Sequence, residues 1–309
     1  MQKNTTSPAG KPVRQVASPK PGQVIEELRP GQSIELLKEL HILTREGKLN
    51  QDTRRKLKQV YHLYQFIEPL LNEVSASSPA PALADHGAGK SYLGFILYDL
   101  FFNVAHRGEK TTGHIYGIET RAELVEKSRV LAARLGFERM SFLNLSVQEA
   151  TRSPDLPAGI DIVTALHACD TATDDAIAFG LAKNARHMVL VPCCQAEVAG
   201  VLKKGKALNL AKNPLAELWR HPLHTREFGS QITNVLRCLQ LEASGYQVTV
   251  TELVGWEHSM KNELILASRP ATPHPAKTRA AQIRLQQVLD ELGLGELTSR
   301  FSVPAISEA

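Results

Sequence analysis

The chain predicts an α/β fold, a mostly parallel sheet with helices packed on both faces. Three observations carry that expectation. Short apolar runs of strand length alternate with longer segments whose apolar residues recur every three or four positions, as strands joined by helical crossovers do. The first such run, Ala82-Leu83-Ala84-Asp85, passes through the glycine-rich turn His86-Gly87-Ala88-Gly89-Lys90-Ser91 straight into a helical pattern that starts at Tyr92. A length of 309 residues with 43% hydrophobic content also suffices for one large domain plus an appended piece.

Taken in order, residues 1–31 are rich in Pro, Gly, Ser, Thr and Lys without apolar periodicity, which predicts a disordered tail. Residues 32–75 predict a helical extension. Ile34, Leu37 and Leu40 share one face, and Leu57, Val60, Tyr61, Tyr64, Ile67, Leu70 and Leu71 follow at helical steps. The extension either covers the sheet or helps to hold substrate, and its basic run Arg54, Arg55, Lys56, Lys58 is a solvated face or a set of phosphate contacts. The main domain spans 76–270. Strands are expected at 82–85, 114–119, 140–144, 160–166 and 187–192, with helices at 90–105, 121–135 and 171–183 between them. Right-handed crossovers bring the carboxyl ends of parallel strands to one edge, so Asp85, Glu119, Ser146 to Gln148, His167 and Cys193 should share a crevice.

Residues 195–240 lack strand periodicity, begin with Lys203, Lys204, Lys206 and Lys212, and predict an insertion over the strand ends where substrate is selected. Two last strands, 246–254 and 263–267, flank Trp256, Glu257, His258, Lys261 and Asn262 and predict a terminal antiparallel hairpin. Residues 271–309 complete the chain as a linker and an amphipathic helix over 278–292.

The glycine turn is where chemistry is expected. Gly87 and Gly89 admit positive φ and let a ligand approach the main chain without meeting a Cβ. The helix that follows presents unpaired N–H groups. Asp85, acceptor-only when ionised, suits an amino group or a hydroxyl better than a phosphate. The second predicted strand ends on Glu119, the position from which an acid grips a ribose. Together these point to a nucleoside site.

Gly89-Lys90-Ser91 raises a rival, since a phosphate-binding loop ends in Gly-Lys-Ser; its first glycine is replaced here by Ala84. A nucleotide hydrolase is therefore one alternative, and a non-catalytic RNA-binding protein of the same fold is another. The four cysteines, Cys169, Cys193, Cys194 and Cys238, lack the CxxC spacing of a closed zinc site and form no disulfide ladder, so no metal is expected and a reducing cytoplasm is. No apolar run approaches the ~20 residues of a membrane span. A net charge of +4 permits a polyanionic partner.

Four segments now carry a resemblance: the Asp85-to-Lys90 turn, Glu119, His167-Ala168-Cys169-Asp170-Thr171-Ala172-Thr173-Asp174, and Pro192-Cys193-Cys194-Gln195. Together they resemble the class I S-adenosylmethionine-dependent methyltransferase domains of the group that contains tRNA acceptor-stem 2′-O-methyltransferases, over about residues 55–268. Asp170 departs from that pattern, which has glycine there, and no zinc-knuckle segment precedes the domain. The resemblance implies a Rossmann-like, seven-stranded, mostly parallel sheet with a terminal antiparallel hairpin. It implies S-adenosyl-L-methionine as cofactor, with Asp85, Gly87 and Gly89 cradling the methionine moiety, Lys90 near its carboxylate, Glu119 on the ribose and Ser146, Val147 and Gln148 bordering the adenine. His167 closes the site and, with Asp170 and Asp174, is a candidate base. RNA, either tRNA or rRNA, is the implied acceptor, with no DNA or membrane partner; the sequence leaves the oligomeric state open.

Overall fold

The computed structural model describes residues 26–106, 112–166, 168–192, 195–204, 217–218, 220–253 and 263–303. The first strand, β1 (Ala82–His86), lies inside a seven-stranded sheet and is buried along its whole length, as a strand covered on both faces must be. On one side it pairs in parallel with β2 (His114–Ile118), which pairs with β3 (Met140–Leu143). On the other side it pairs in parallel with β4 (Ile162–Leu166), which pairs with β5 (His187–Val191). The chain then makes β6 (Gln247–Glu252) and β7 (Glu263–Ser268). β7 runs antiparallel between β5 and the edge strand β6, giving the order β3-β2-β1-β4-β5-β7-β6. This is the seven-stranded, mostly parallel sheet with a terminal antiparallel pair that the sequence resemblance implies. Strand order reverses between β1 and β4, and the crevice at their carboxyl ends is where such sheets take ligands.

Helices α1 (Ile34–Glu39), α2 (Gln51–Ser77), α3 (Tyr92–Leu97) and α4 (Ala122–Leu135) share an apolar layer with one face of the sheet. A reciprocal Asn50–Thr53 cap starts α2, whose Leu57, Val60, Leu63, Tyr64, Ile67, Leu71 and Val74 are buried. α3 runs on into a π-helix, Tyr98–Ala105, that carries the fully buried Asp99. Both Asp99 oxygens accept the Ser33 N–H at 3.2 Å, and Ser33 in turn caps α1. The extension is thereby fastened to the main domain by a buried carboxylate as well as by its leucines.

On the opposite face lie α5 (Val147–Arg152), α6 (Ala172–Ala182) and, after α7 (Glu197–Lys204), part of α8 (Pro222–Ala243). The segment expected as an insertion thus contributes α8, the 22-residue crossover helix between β5 and β6. Its helical period was hidden because buried polar residues, Thr225, Thr233, Asn234, Arg237 and Gln240, interrupt the apolar stripe. The last helix, α9 (Pro275–Glu291), starts earlier than its periodicity suggests, with Pro275 at the first helical position. Leu285, Leu289, Leu297 and Phe301 build a third apolar cluster with Val198 of α7 and Leu236 of α8.

No described helix is long and apolar enough to cross a membrane. The expectations placed on residues 1–25, His167, Cys193, Cys194, Lys206, Lys212, Trp219 and 256–262 lie outside the described residues.

Candidate functional site

The turn after β1 has a left-handed backbone at every second residue: Gly87 at φ +64°, Gly89 at +58° and Ser91 at +50°. Glycine relieves the first two, and a Cβ at either would project toward Ala168 or Arg121. Ala88 N–H bonds Ile118 O of β2 at 3.0 Å, so the turn folds over the neighbouring strand. The N–H of Gly89 consequently meets Glu119 Oε2 at 2.7 Å. The other Glu119 oxygen accepts from the Arg121 N–H and Nε at 3.0 Å each, and Arg121 Nη2 reaches Oε2 at 3.2 Å. Burial alone would raise this carboxyl, but the Arg121 guanidinium and the two backbone N–H groups outweigh it and hold it down at about 2. Asn144, just past β3, donates to Glu119 O and Thr120 O at 3.0 and 2.8 Å and fixes the third loop against the second. A fixed anion therefore stands beside a bend that ligand atoms can approach.

Asp85 occupies a different role from that of a free acceptor in the crevice. Its carboxylate is turned under α3, accepting from Thr164 Oγ1 at 3.0 Å, Gly94 N at 3.3 Å and Ser91 Oγ at 3.4 Å. Ser91 makes no side-chain cap on α3, and Asp85 supplies that function from the strand below. Burial pushes its carboxyl up to about 6 in spite of those donors. Gly94 and Gly117 allow the helix this close. A Cβ on Gly94 would stand 2.6 Å from Ser91 Oγ, and one on Gly117 would stand 2.7 Å from Phe142.

Asp170 and Asp174, expected as proton acceptors, both take part in holding the strand-end loops. Asp170 has φ +49° and accepts Ala196 N at 2.9 Å through Oδ1, tying the loop after β4 to the loop after β5. Asp174 is buried in a two-pronged ion pair with Arg237 of α8, at 2.7 and 2.8 Å. Arg237, itself fully buried, also donates to Asn234 Oδ1 at 3.1 Å and Asp170 O at 2.8 Å. Asn234 continues the network to Glu263 of β7 at 2.6 Å, and Gln195 donates to Asn234 at 3.0 Å. The geometry makes Asp174 a brace of the strand-end loops, both its oxygens being taken by Arg237, while Asp170 ties two of those loops together through Oδ1.

Of the remaining expected residues, Ser146 caps α5 in a reciprocal box with Glu149, Val147 opens that helix half-buried, and Gln148 and Lys90 are exposed. A cavity of about 470 Å³ opens over the turn. It is lined by Asp85, Gly87, Ala88, Gly89 and Arg121 from the strand ends and the turn, by Tyr92 and Leu166, and by His41, Lys56, Gln59, Val60 and Leu63 from the helical extension. Arg121, Asn144 and Arg237 were missed in the sequence. Arg121 could have been found from its place two residues beyond Glu119.

Residues 55–201, the stretch that carries β1 to β5, match a family model described as a methyltransferase domain. No match is found among curated proteins. Among solved structures, the chain is similar to a putative O-methyltransferase from Klebsiella pneumoniae at 12% identity, over 80% of this chain and 94% of that one, with a TM-score of 0.44. It is similar to magnesium protoporphyrin IX methyltransferase from Synechocystis PCC 6803 at 14% identity, over 76% and 93%, with a TM-score of 0.41. An rRNA methylase from Streptococcus thermophilus aligns at 10% identity over 65% and 92%, with a TM-score of 0.39. At these identities and scores no residue role or substrate follows from the solved structures.

Proposed function

We propose that the chain is an S-adenosylmethionine-dependent methyltransferase acting on RNA. The observation that carries the reading is the convergence of the Gly89 N–H and Arg121 on Glu119 beside an open bend. A carboxylate held ionised at that point can exchange its Arg121 side-chain donors for the two hydroxyls of a ribose. Positive-φ glycines leave room for a chain of atoms to lie across the bend, and a cavity of about 470 Å³ falls within the ~300–1,000 Å³ of ligand pockets. The turn glycines and Arg121 line this cavity, and Glu119, bonded to both Gly89 and Arg121, stands directly behind that lining. Gly87, Gly89 and Glu119 would hold its methionine and ribose parts, the loop from Ser146 to Gln148 its adenine, and Lys90 its carboxylate.

When bound, the cofactor supplies a methyl group on a sulfonium, and the protein's task is chiefly to position the acceptor in line with it. Asp85 acts at one remove, fixing the turn by capping α3. The Arg237 network acts likewise on the loops after β4 and β5. RNA is favoured as acceptor by the motif resemblance and by the net charge of +4. The hydrolase reading is not favoured: Ala84 lies inside β1, so no phosphate-cradling loop begins there.

Calorimetric titration with S-adenosylhomocysteine tests the cofactor site. The chain should bind it, and Glu119→Ala should weaken binding by at least tenfold; equal binding by the two proteins would remove the site assignment. Tritium transferred from labelled S-adenosylmethionine should enter ribonuclease-sensitive material. Label found in protein or in small molecules instead would remove the RNA part.

A further inference from the structure

The cavity is lined by two unlike sets of residues. Besides the glycine turn, α2 contributes to the lining: Lys56, Gln59, Val60 and Leu63 do so at positions i, i+3, i+4 and i+7, which form one stripe on a helix. The stripe is graded along its length. Val60 and Leu63 are buried, while Gln59 and Lys56, a turn nearer the amino end of the helix, are half-exposed. The exposed His41 flanks them from the connection between α1 and α2. An apolar interior that grades into an amide and then an ammonium suits a ligand with a flat, weakly polar body and an anionic end.

Lys56 pairs with Asp52 at 3.0 Å across one helical turn, with 42% and 70% of the two side chains exposed. A pair so exposed contributes little, so a phosphate can take over the ammonium at small cost. The next basic residue, Lys58, is also exposed but lies about 200° around the helix from Lys56, away from the cavity. Lysine therefore occurs twice on this helix, once lining the cavity and once turned from it.

We propose that this α2 wall is the acceptor side of the cavity, taking one nucleotide of an RNA with its base against Val60 and Leu63 and its phosphate on Lys56. The proposal rests on the RNA methyltransferase reading above and adds the surface by which the RNA is held. It also gives the helical extension a second task besides covering the sheet.

The test uses the full chain, a fluorescein-labelled mixed-sequence 20-nucleotide single-stranded RNA, and anisotropy titrations over a salt series, with S-adenosylhomocysteine titrated separately. Lys56→Glu should weaken RNA binding about tenfold and make the log–log salt slope shallower by about 0.7, the value of one phosphate contact on a single strand. Lys58→Glu should change affinity less than twofold. Both variants should bind S-adenosylhomocysteine like the parent, which also shows them folded, and Lys56→Ala should fall between parent and Lys56→Glu for RNA. Equal weakening by Lys58→Glu would overturn the proposal, because attraction would then be diffuse. Loss of S-adenosylhomocysteine binding in Lys56→Ala, with its thermal midpoint unchanged, would overturn it by making Lys56 a cofactor residue. A parent that binds S-adenosylhomocysteine but no RNA defeats the RNA reading and this proposal together, whereas one that binds RNA with no effect of Lys56 defeats the proposal alone.

Discussion

Replacing Arg237 by Met would strand a charge. The guanidinium is fully buried and donates to four acceptor atoms, two on Asp174, one on Asn234 and one on the Asp170 carbonyl. Methionine fills much of the volume and supplies none of the donors. Asp174, itself 5% exposed, would keep its carboxylate without a countercharge, and breaking a buried pair from one side costs about 3–5 kcal/mol. Loss of the donor to the Asp170 carbonyl adds on the order of 1 kcal/mol. The expected total is about 4–6 kcal/mol, or a fall in Tm on the order of 10 °C. Removing both charges, in Arg237→Met with Asp174→Leu, should return most of that loss, because a buried pair replaced by apolar residues is often close to neutral. Urea denaturation followed by circular dichroism, carried out as a double-mutant cycle, measures each term. A single variant that loses less than about 1 kcal/mol, or a double variant worse than the sum of the two singles, would refute the bracing role.

Two further outcomes are expected. Gly87→Ala, placing a side chain at φ +64°, should destabilise by about 1–2 kcal/mol and weaken S-adenosylhomocysteine at least tenfold in calorimetry, whereas Gly136→Ala, at a helix end with φ +69°, should cost similar stability and leave affinity alone. Asp85 sets a pH dependence. Its folded carboxyl titrates at about 6 against an ordinary ~3.9, so the folded state binds the proton more tightly. Stability should then fall as pH rises from about 4 to 6 and level off above, by on the order of 3 kcal/mol. Asp85→Asn should flatten that fall in urea midpoints taken from pH 4.5 to 7.5, and a variant curve parallel to the parent's would refute it. Glu119, held at about 2, gives the opposite sign, stability lost as pH falls below about 4, and so stays outside that range.

What the sequence made legible followed from period and punctuation. β1, the turn and Glu119 could be placed because an apolar run, two glycines and a second strand ending in an acid each leave a local mark. Asp85 was located correctly but not its direction, since alternation fixes which residues share a face and leaves open which face the ligand uses. Arg237 was invisible for a different reason. Its partner Asp174 is 63 residues away, and an arginine among polar neighbours reads as solvated until α8 brings it against α6. Asp170 stands where the resembling tRNA enzymes carry glycine. The structure gives that position φ +49°, a backbone that aspartate tolerates better than most residues and here secures through the Ala196 N–H.

The third apolar cluster has a consequence at a distance. α8 presents Leu236 outward to α9 and, one residue later, Arg237 inward to the strand ends. Gln240 is held from the carboxyl-terminal side by Ser302 O at 2.9 Å, and Arg300 reaches Glu197 of α7 at 3.2 Å. Trimming the chain after residue 270 would therefore do more than shorten it. The helix that carries the brace would lose its backing, and damage at the far end of the polypeptide would surface as slack in the loops around the crevice.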